Sequence, residues 1–337
     1  MQHSHPLPRI ALAMGDPAGI GMELTARLLD DPAIANAARL IVIGDRRMLA
    51  HGARHADLSP AVPGWGVHEA LPAKGHVLLD LHHGDPADFP IGLASLAGGR
   101  FALRNFVTAL AMARDGQADA VVFTPFNKQA MRMARADYDD EIALVTETLG
   151  ATRDGREFNI LQGLWNARVT SHIALKDVAA RLSIDAVAEA GLLAQRSLRE
   201  AGLDRPRLAV AALNPHAGDG GNFGREEIEV IEPAVRRLRA DGVDAKGPIP
   251  ADTVFVRAHK GEFDMVLTMY HDQGQIAMKL LGFERGVTLL GGYAVPICTP
   301  AHGTAYDIAG KGLAHPGAAR NAVLLAASMA SRRGAGG

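Results

Sequence analysis

The stretch "DMVLTMYHDQGQIAMK", residues 264–279, joins a continuous apolar run to a polar segment and then to a pattern typical of a helix. Apolar runs of this kind recur along the chain and alternate with longer helical patterns. They occupy residues 9–15, 39–44, 76–81, 119–125, 167–172, 207–216 and 264–271. Continuous apolar strands separated by helices indicate a parallel sheet that is covered on both faces, so we predict the α/β fold class.

Four longer segments carry apolar residues at helical spacing with charged residues on the other side, as expected of helices that cover such a sheet. These segments are 93–115, 183–201, 226–241 and 316–332. We place the domain boundaries in loops near Pro125 and Pro300. We therefore expect a discontinuous first domain, residues 1–125 plus 300–337, and a second domain, residues 126–299.

The composition excludes several classes of protein. Of the 337 residues, 48% are hydrophobic and 21% are charged, and no apolar run is long enough to span a bilayer. The formal net charge is -2, from 35 basic and 37 acidic residues, so neither nucleic acid nor a membrane is an expected partner. The single cysteine, Cys298, excludes an internal disulfide and fits a cytoplasmic location.

Three histidines lie at the ends of predicted strands. His172, His216 and His271 each follow an apolar run, and the carboxyl ends of strands in an open parallel sheet form the edge where ligands bind. Each histidine alone is typical of a hydrogen-bonded strand end. The three together, with Asp272 and Asp252 at hand, indicate a divalent metal site with an open position. Mixed nitrogen and oxygen ligands suit zinc, manganese, cobalt or magnesium.

The sequence contains three glycine-rich segments that lie next to predicted strands or helices. "GDPAGIG", residues 15–21, does not match the G-x-G-x-x-G dinucleotide pattern, although the start of a helix there suits an anion. "NPHAGDGGNFGREE", residues 214–227, favours a loop shaped around a ligand. "PAHGTAYDIAGKG", residues 300–312, favours close approach of the backbone to a nucleotide.

Together these motifs resemble the 4-hydroxythreonine-4-phosphate dehydrogenase, or PdxA, family. The resemblance covers nearly the whole chain and rests on segments in the family's order, namely "GDPAGIG", "TPFNK", "LNPHAGDGGNFGREE", "GPIPADT", "MYHDQG" and "HGTAYDIAGKG". The last is also similar to the "HGSAPDIAGKG" loop of isopropylmalate and isocitrate dehydrogenases. The resemblance implies a two-domain fold like theirs, with parallel-rich sheets, an interdomain cleft and a homodimer that shares its active sites.

The resemblance also implies site residues and chemistry. The implied metal ligands are His172, His216 and His271, and Lys279 matches the family's substrate-binding lysine. By the same resemblance, the first domain is on the side that binds NAD, and the second domain binds the substrate and the metal and forms the dimer. The implied NAD contacts come from His302, Gly303, Thr304, Ala305 and Asp307. The family's reaction is NAD-dependent oxidation of a secondary alcohol, followed by loss of a carboxylate β to the new ketone.

Departures from the family pattern bear on the substrate. The family's "GHTE" segment is "YDDE" here, with Asp139 and Asp140 in place of histidine and threonine, and acids there would repel phosphate. Thr288 and Ile297 stand where the family has a substrate-contacting asparagine and arginine. We therefore expect an unphosphorylated diol carboxylate such as terephthalate cis-dihydrodiol. The alternative is 4-phosphohydroxy-threonine or 4-phospho-threonate.

The expected mechanism uses the ion to lower the pKa of the substrate hydroxyl while hydride leaves for NAD. We expect Lys279 to orient the substrate, and either Lys279 or Asp272 to relay the proton. A metal-dependent hydrolase is a rival, because histidines around zinc also activate water. A binding protein without turnover is another. The nucleotide-type loop at residues 302–312 argues against both rivals, since neither requires it.

Overall fold

The computed structural model describes residues 6–72, 74–152, 155–161 and 163–335. Within these ranges the chain forms eleven β-strands: β1 Arg9–Ala13, β2 Arg39–Gly44, β3 Val77–Asp80, β4 Ala120–Phe123, β5 Arg156–Leu161, β6 Leu164–Arg168, β7 Arg207–Ala211, β8 Asp244–Ile249, β9 Met265–Thr268, β10 Val287–Gly291 and β11 Ile297–Pro300.

The same ranges contain twelve α-helices: α1 Gly21–Leu29, α2 Pro32–Ala37, α3 Arg46–His55, α4 Leu96–Arg114, α5 Lys128–Ala134, α6 Glu141–Leu149, α7 Val178–Arg181, α8 Ile184–Glu200, α9 Glu232–Ala240, α10 Ala251–His259, α11 His271–Gly282 and α12 Gly317–Ala335. A π-helical turn, Glu227–Ile231, leads directly into α9. None of the helices in the described ranges has both the length and the apolarity that a membrane span requires.

The chain divides into two compact units. The first comprises Met1–Gly155 and Tyr293–Gly337, and the second comprises Arg156–Gly292. The boundaries therefore lie after Gly155 and before Tyr293, and not near Pro125 and Pro300 as the sequence suggested.

Helices α5 and α6 account for this difference, because both pack within the first unit. A Cβ at Gly99 of α4 would lie 1.9 Å from the carbonyl oxygen of Ala130 in α5, so only glycine permits this close approach. The hydroxyl of Tyr293 lies 2.8 Å from the hydroxyl of Thr146 in α6 and donates to the carbonyl of Ile142. These contacts hold α6 and the chain from Tyr293 onward in one unit.

The first unit is built on a parallel sheet with strand order β3-β2-β1-β4-β11. Its central strands are fully buried, since residues 10–13 of β1 and 40–43 of β2 are 0% exposed. Helices α4 and α12 contact these strands. Continuous apolar strands are what a sheet covered on both faces requires, and the predicted α/β class is confirmed.

The second unit is built on a mixed sheet with strand order β10-β5-β6-β9-β7-β8. Strands β6, β9, β7 and β8 pair in parallel, whereas β10 with β5 and β5 with β6 pair antiparallel. The carboxyl ends of β6, β9 and β7 therefore lie side by side at one edge. This edge carries the histidines singled out in the sequence.

Candidate functional site

Two of the three predicted histidines meet at the carboxyl edge of the second unit. The ring centroids of His172 and His271 are 5.6 Å apart and the rings are inclined by 46°. The pairing of β6 with β9 continues past the strand ends, because the Val169 amide donates to the Thr268 carbonyl at 2.9 Å and the Thr170 amide donates to the Met269 carbonyl at 3.1 Å. Because β6 and β9 are adjacent and parallel, the two imidazoles that follow them lie close together at the same edge of the sheet.

The histidine pair has a spacing that suits a shared cation. Two imidazoles that each place a nitrogen about 2 Å from one ion have ring centroids about 5 Å apart. Nδ1 of His271 lies 2.7 Å from Oδ1 of Asp272. Because a carboxylate accepts, Nδ1 is the donor, and in the neutral tautomer that this bond selects Nε2 has its lone pair available for a metal. The two imidazoles therefore fit two of the coordination positions around a divalent ion.

His216 lies on a strained turn after β7. Residues 216–220 all have left-handed backbone angles, with φ values of 53°, 55°, 80°, 46° and 65°. Such a conformation costs about 1–2 kcal/mol for each residue with a side chain, and strain of this kind concentrates at functional sites. The ring of His216 lies 6.3 Å from the ring of Phe223.

The complete ligand set predicted from the sequence is not assembled by the described residues. Among them, no three His, Cys, Asp or Glu side chains are grouped as a metal site requires. The structure brings His172 and His271 together but does not group His216 with them, and Asp252 is an exposed residue in the first turn of α10. The histidine pair needs further ligands to complete a coordination shell.

Sequence reasoning missed Glu227, which holds the strained turn in place. This side chain is 1% exposed. Its Oε1 accepts from the Leu213 amide at 2.9 Å and the Asn214 amide at 2.7 Å, and its Oε2 accepts from Asn214 Nδ2 at 3.0 Å. The only signal for Glu227 in the sequence is that it is the second of two adjacent glutamates at the end of a glycine-rich loop. Burial of a carboxylate with three donors shows that it organises the loop.

Gln273 of the "MYHDQG" motif ties α11 to two strands. Its Oε1 accepts from the Met269 amide at 2.7 Å, and its Nε2 donates to the Ala212 carbonyl at 2.7 Å. Since Met269 follows β9 and Ala212 follows β7, the amide side chain joins the ends of both strands. Glutamine is suited to this position because it can donate and accept simultaneously.

Lys279 lies about two turns along α11. The helix begins at His271, so eight residues place Lys279 about 12 Å from His271 along the helix axis. Lys279 is exposed. A substrate that touches both residues must therefore present two separated polar groups.

The nucleotide-type loop of the first unit follows β11. Ala305 within it has a φ of 46°, a left-handed conformation. His302 is half-buried, and this burial lowers its pKa, so its neutral ring donates from Nδ1 to the Gly303 carbonyl at 3.1 Å. Thr304 accepts from the Ile20 amide at 3.0 Å through its carbonyl oxygen. The loop is held in one shape by its own unit.

The "GDPAGIG" segment supports this loop. A Cβ at Gly19 would lie 2.8 Å from the Thr304 carbonyl oxygen, so glycine allows the two segments to touch. Asp16 is 2% exposed, accepts from the hydroxyl of Tyr306, and accepts from the Ala18 amide at 3.0 Å. Burial raises the pKa of Asp16. The amides of Ala18 and Ile20 are hydrogen-bonded within the protein. They therefore do not need the bound anion that the sequence allowed at this helix start.

Three of the four residues that suggested an unphosphorylated substrate have structural roles. Asp140 caps the start of α6, where its carboxylate accepts from the Ala143 amide at 2.9 Å, and Asp139 is exposed. Ile297 is 0% exposed in β11. Thr288 accepts from Asn159 Nδ2 at 3.4 Å within the second unit. Helix capping accounts for Asp140 and core packing accounts for Ile297 without reference to phosphate, whereas nothing in the described residues explains Asp139.

Comparison with known proteins identifies the family. Residues 36–326 match the family described as pyridoxal phosphate biosynthetic protein PdxA. A protein of Rhizobium meliloti, provisionally named 4-hydroxythreonine-4-phosphate dehydrogenase 2, is 59% identical over 97% of this chain and 94% of its own length. One of Symbiobacterium thermophilum, provisionally named D-threonate 4-phosphate dehydrogenase, is 37% identical over 96% of this chain and 97% of its own.

Solved structures agree with this assignment. That of 4-hydroxythreonine-4-phosphate dehydrogenase from Klebsiella pneumoniae is 35% identical, covers 97% of this chain and 99% of its own, and superposes with a TM-score of 0.83. A β-decarboxylating dehydrogenase from Thermococcus kodakarensis is 14% identical and covers 97% of this chain and 84% of its own, with a TM-score of 0.50. The second likeness concerns the fold alone, and it confirms the predicted fold.

The substrate expected from the sequence is not supported. A terephthalate 1,2-cis-dihydrodiol dehydrogenase from Burkholderia xenovorans is 30% identical over 95% of this chain and 98% of its own, with a TM-score of only 0.67. The proteins of greater similarity are named for phosphorylated substrates. The preference for a dihydrodiol misjudged the replacements at Asp140 and Ile297, which are explained by helix capping and core packing. The hydrolase alternative also lacks support, because these relatives are named dehydrogenases.

Proposed function

Because the chain belongs to the PdxA family, we propose that it is an NAD-dependent and divalent-metal-dependent dehydrogenase that oxidises the secondary alcohol of 4-phosphohydroxy-threonine. D-threonate 4-phosphate is the second candidate, favoured by the name of the 37% identical relative. The observation that carries the proposal is the pair of imidazoles, His172 and His271, with centroids 5.6 Å apart at the carboxyl edge of a parallel sheet.

The described residues support the following division of roles. His172 and His271 hold the divalent ion, and Asp272 fixes the tautomer of His271. Lys279, about 12 Å along the helix axis from His271, binds the phosphate at the far end of the substrate. His216 is proposed as a third ligand, and Asp252 as a residue near the metal. When bound, the ion and NAD supply a Lewis acid and a hydride acceptor.

The loop from His302 to Asp307 is proposed to hold NAD. Its contacts would come from His302, Gly303, Thr304, Ala305 and Asp307. The left-handed angle at Ala305 and the support from residues 15–20 show a loop that is shaped before any ligand arrives. A preformed loop binds with less loss of conformational entropy.

We also propose that the new ketone loses the carboxylate β to it. The carbon–carbon bond to the carboxylate breaks and carbon dioxide leaves. The electron pair of the broken bond passes into the enolate of the ketone, which is then protonated. Asp272 and Lys279 are the candidate proton carriers.

A homodimer with a shared active site is proposed as well. Ile276 and Leu280 lie one turn apart on α11 and are 60% and 83% exposed. Exposed large apolar side chains on one helix face favour contact with another protein surface. Because no three potential ligands are grouped among the described residues, we propose that the second copy supplies the further ligands that the histidine pair needs. Analytical ultracentrifugation tests this, and a monomer at micromolar concentration would contradict it.

The substrate is tested by mixing the protein with NAD and a divalent ion and following reduced-cofactor absorbance. The panel contains 4-phosphohydroxy-threonine, D-threonate 4-phosphate, D-threonate and terephthalate cis-dihydrodiol. We expect turnover of the phosphorylated compounds and release of carbon dioxide. Lys279→Met should raise KM for the phosphorylated substrate, whereas Lys260→Met, at an exposed position after α10, should not. Turnover of the dihydrodiol alone would refute the proposal.

A further inference from the structure

We propose that Arg168 is a positioning residue for the metal pair: through Asn159 and Gln275 it sets the separation between His172 and His271. The inference rests on the proposed function, because it concerns the same ion site. It assigns a role to a buried charged side chain that the family motifs do not include.

The guanidinium of Arg168 is bonded in three directions. Arg168 is the last residue of β6 and is 4% exposed. Its Nε donates to Ser171 Oγ at 2.9 Å, its Nη1 donates to Asn159 Oδ1 at 2.7 Å, and its Nη2 donates to Glu157. A planar guanidinium with all sides engaged has a single orientation. Arg168 is therefore a rigid centre of this edge.

One branch of this network reaches His172. Ser171 is the residue immediately before His172 and lies beyond the end of β6. Its hydroxyl accepts from Arg168 Nε, so the guanidinium anchors the peptide that carries the first imidazole. Without this contact, Ser171 would lose its side-chain tether to the sheet, and the Thr170 hydroxyl, which donates to the Met269 carbonyl at 2.8 Å, would still tether this segment through a side chain.

The other branch reaches the helix of His271. Asn159 Oδ1 accepts a second hydrogen bond from Gln275 Nε2 at 2.7 Å. Gln275 follows His271 by four residues in α11, so both side chains lie on the same face of the helix. A single amide oxygen thus joins the arginine that anchors one imidazole to the helix that carries the other.

The helix also lies directly on this face of β6. Asn166 and Arg168 point to the same side of the strand because side chains alternate. A Cβ at Gly274 would lie 2.2 Å from Asn166 Oδ1, so glycine admits the first turn of α11. Polar residues on a buried strand face lower stability unless they are hydrogen-bonded, and in some proteins such residues fix one geometry of the core. Here the geometry they define is that of the histidine pair.

The test measures divalent-ion affinity, since residues that orient metal ligands typically contribute 10–100-fold to it. Zinc or manganese is titrated into the metal-free full chain by calorimetry. We expect Arg168→Met to weaken binding about 10–100-fold and Gln275→Met to weaken it less. The double variant should lose less than the product of the two, because both substitutions break one bridge. Arg168→Lys should recover part of the affinity, since it keeps the charge without the fork.

The control is Arg207→Met. Arg207 begins β7 and pairs with Asp264 at 2.8 Å, at the opposite end of the sheet. Its loss should leave the metal affinity unchanged. If Arg168→Met does not fold, the half-buried Gln275 carries the test, and unchanged ion affinity in Gln275→Met would then overturn the inference.

The outcomes separate the inference from the proposed function. Wild-type binding that is abolished in His271→Ala, together with wild-type affinity in Arg168→Met, would overturn the role of Arg168 and leave the metal site in place. No ion binding by the wild-type chain would overturn both. NAD binding, followed by intrinsic fluorescence, should be the same in all variants, because the changes lie in the second unit.

Discussion

Replacement of Glu227 tests whether this buried carboxylate holds the strained loop of His216. In Glu227→Ala the amides of Leu213 and Asn214 lose their acceptor, whereas the side chain of Asn214 loses one of two acceptors and keeps its bond to Glu226 at 2.7 Å. Each buried donor left without a partner costs about 1–3 kcal/mol. For two such amides, and with part of the strain in residues 216–220 released, we expect a net loss of about 2–4 kcal/mol in the free energy of unfolding. This is a large share of the stability of an ordinary domain, about 5–15 kcal/mol.

The assay is urea unfolding followed by tryptophan fluorescence. Trp165 lies in β6 of the second unit and Trp65 in the first, so a Trp65→Phe background reports on the unit that contains Glu227. Glu227→Gln keeps one acceptor oxygen and should lose about 1–2 kcal/mol. The matched control is Glu229→Ala, which removes an exposed pair with Arg225 and should leave the unfolding midpoint unchanged. An unfolding free energy of Glu227→Ala within about 0.5 kcal/mol of wild type would show that Glu227 does not hold the loop in place.

Three further outcomes follow from the first unit. Tyr306→Phe removes the hydrogen bond to Asp16 beneath the nucleotide-type loop and should raise KM for NAD up to about tenfold while kcat changes little; an unchanged KM would contradict a role for the loop. Asp140→Ala removes the cap of α6 and should lower stability by about 1 kcal/mol without altering the preference for phosphorylated substrate; a switch to the unphosphorylated compound would restore the original interpretation. Burial raises the pKa of the Cys298 thiol, so a thiol reagent should label it only after unfolding, and fast labelling of the native protein would contradict this burial.

The sheet was predictable where strands are buried on both faces. Strands β1, β2 and β9 are continuous apolar runs, and they lie where the sequence placed them. Strand β8, "DAKGPI", was missed because it lies at the edge of its sheet, where charged residues such as Asp244 and Lys246 are favoured. Strand β5, "REFNIL", was missed because its polar residues belong to the buried network around Arg168.

The site was predictable only in part, for a related reason. Histidines after apolar runs identify the carboxyl edge, but the order of strands decides which of them meet. His172 and His271 follow β6 and β9, which are neighbours, whereas His216 follows β7 and then a left-handed turn. Arg168 resembles an exposed strand residue in the sequence, since nothing local reveals that Asn159 would bond it.

The rate of NAD reduction with 4-phosphohydroxy-threonine, measured for the metal-free chain and after a divalent ion is restored, shows whether His172 and His271 hold an ion that the reaction needs. We expect no reduction without the ion, full recovery when it is added back, and no recovery in His172→Ala or His271→Ala. Equal rates in the metal-free and reloaded protein, or full activity in either variant, would contradict it.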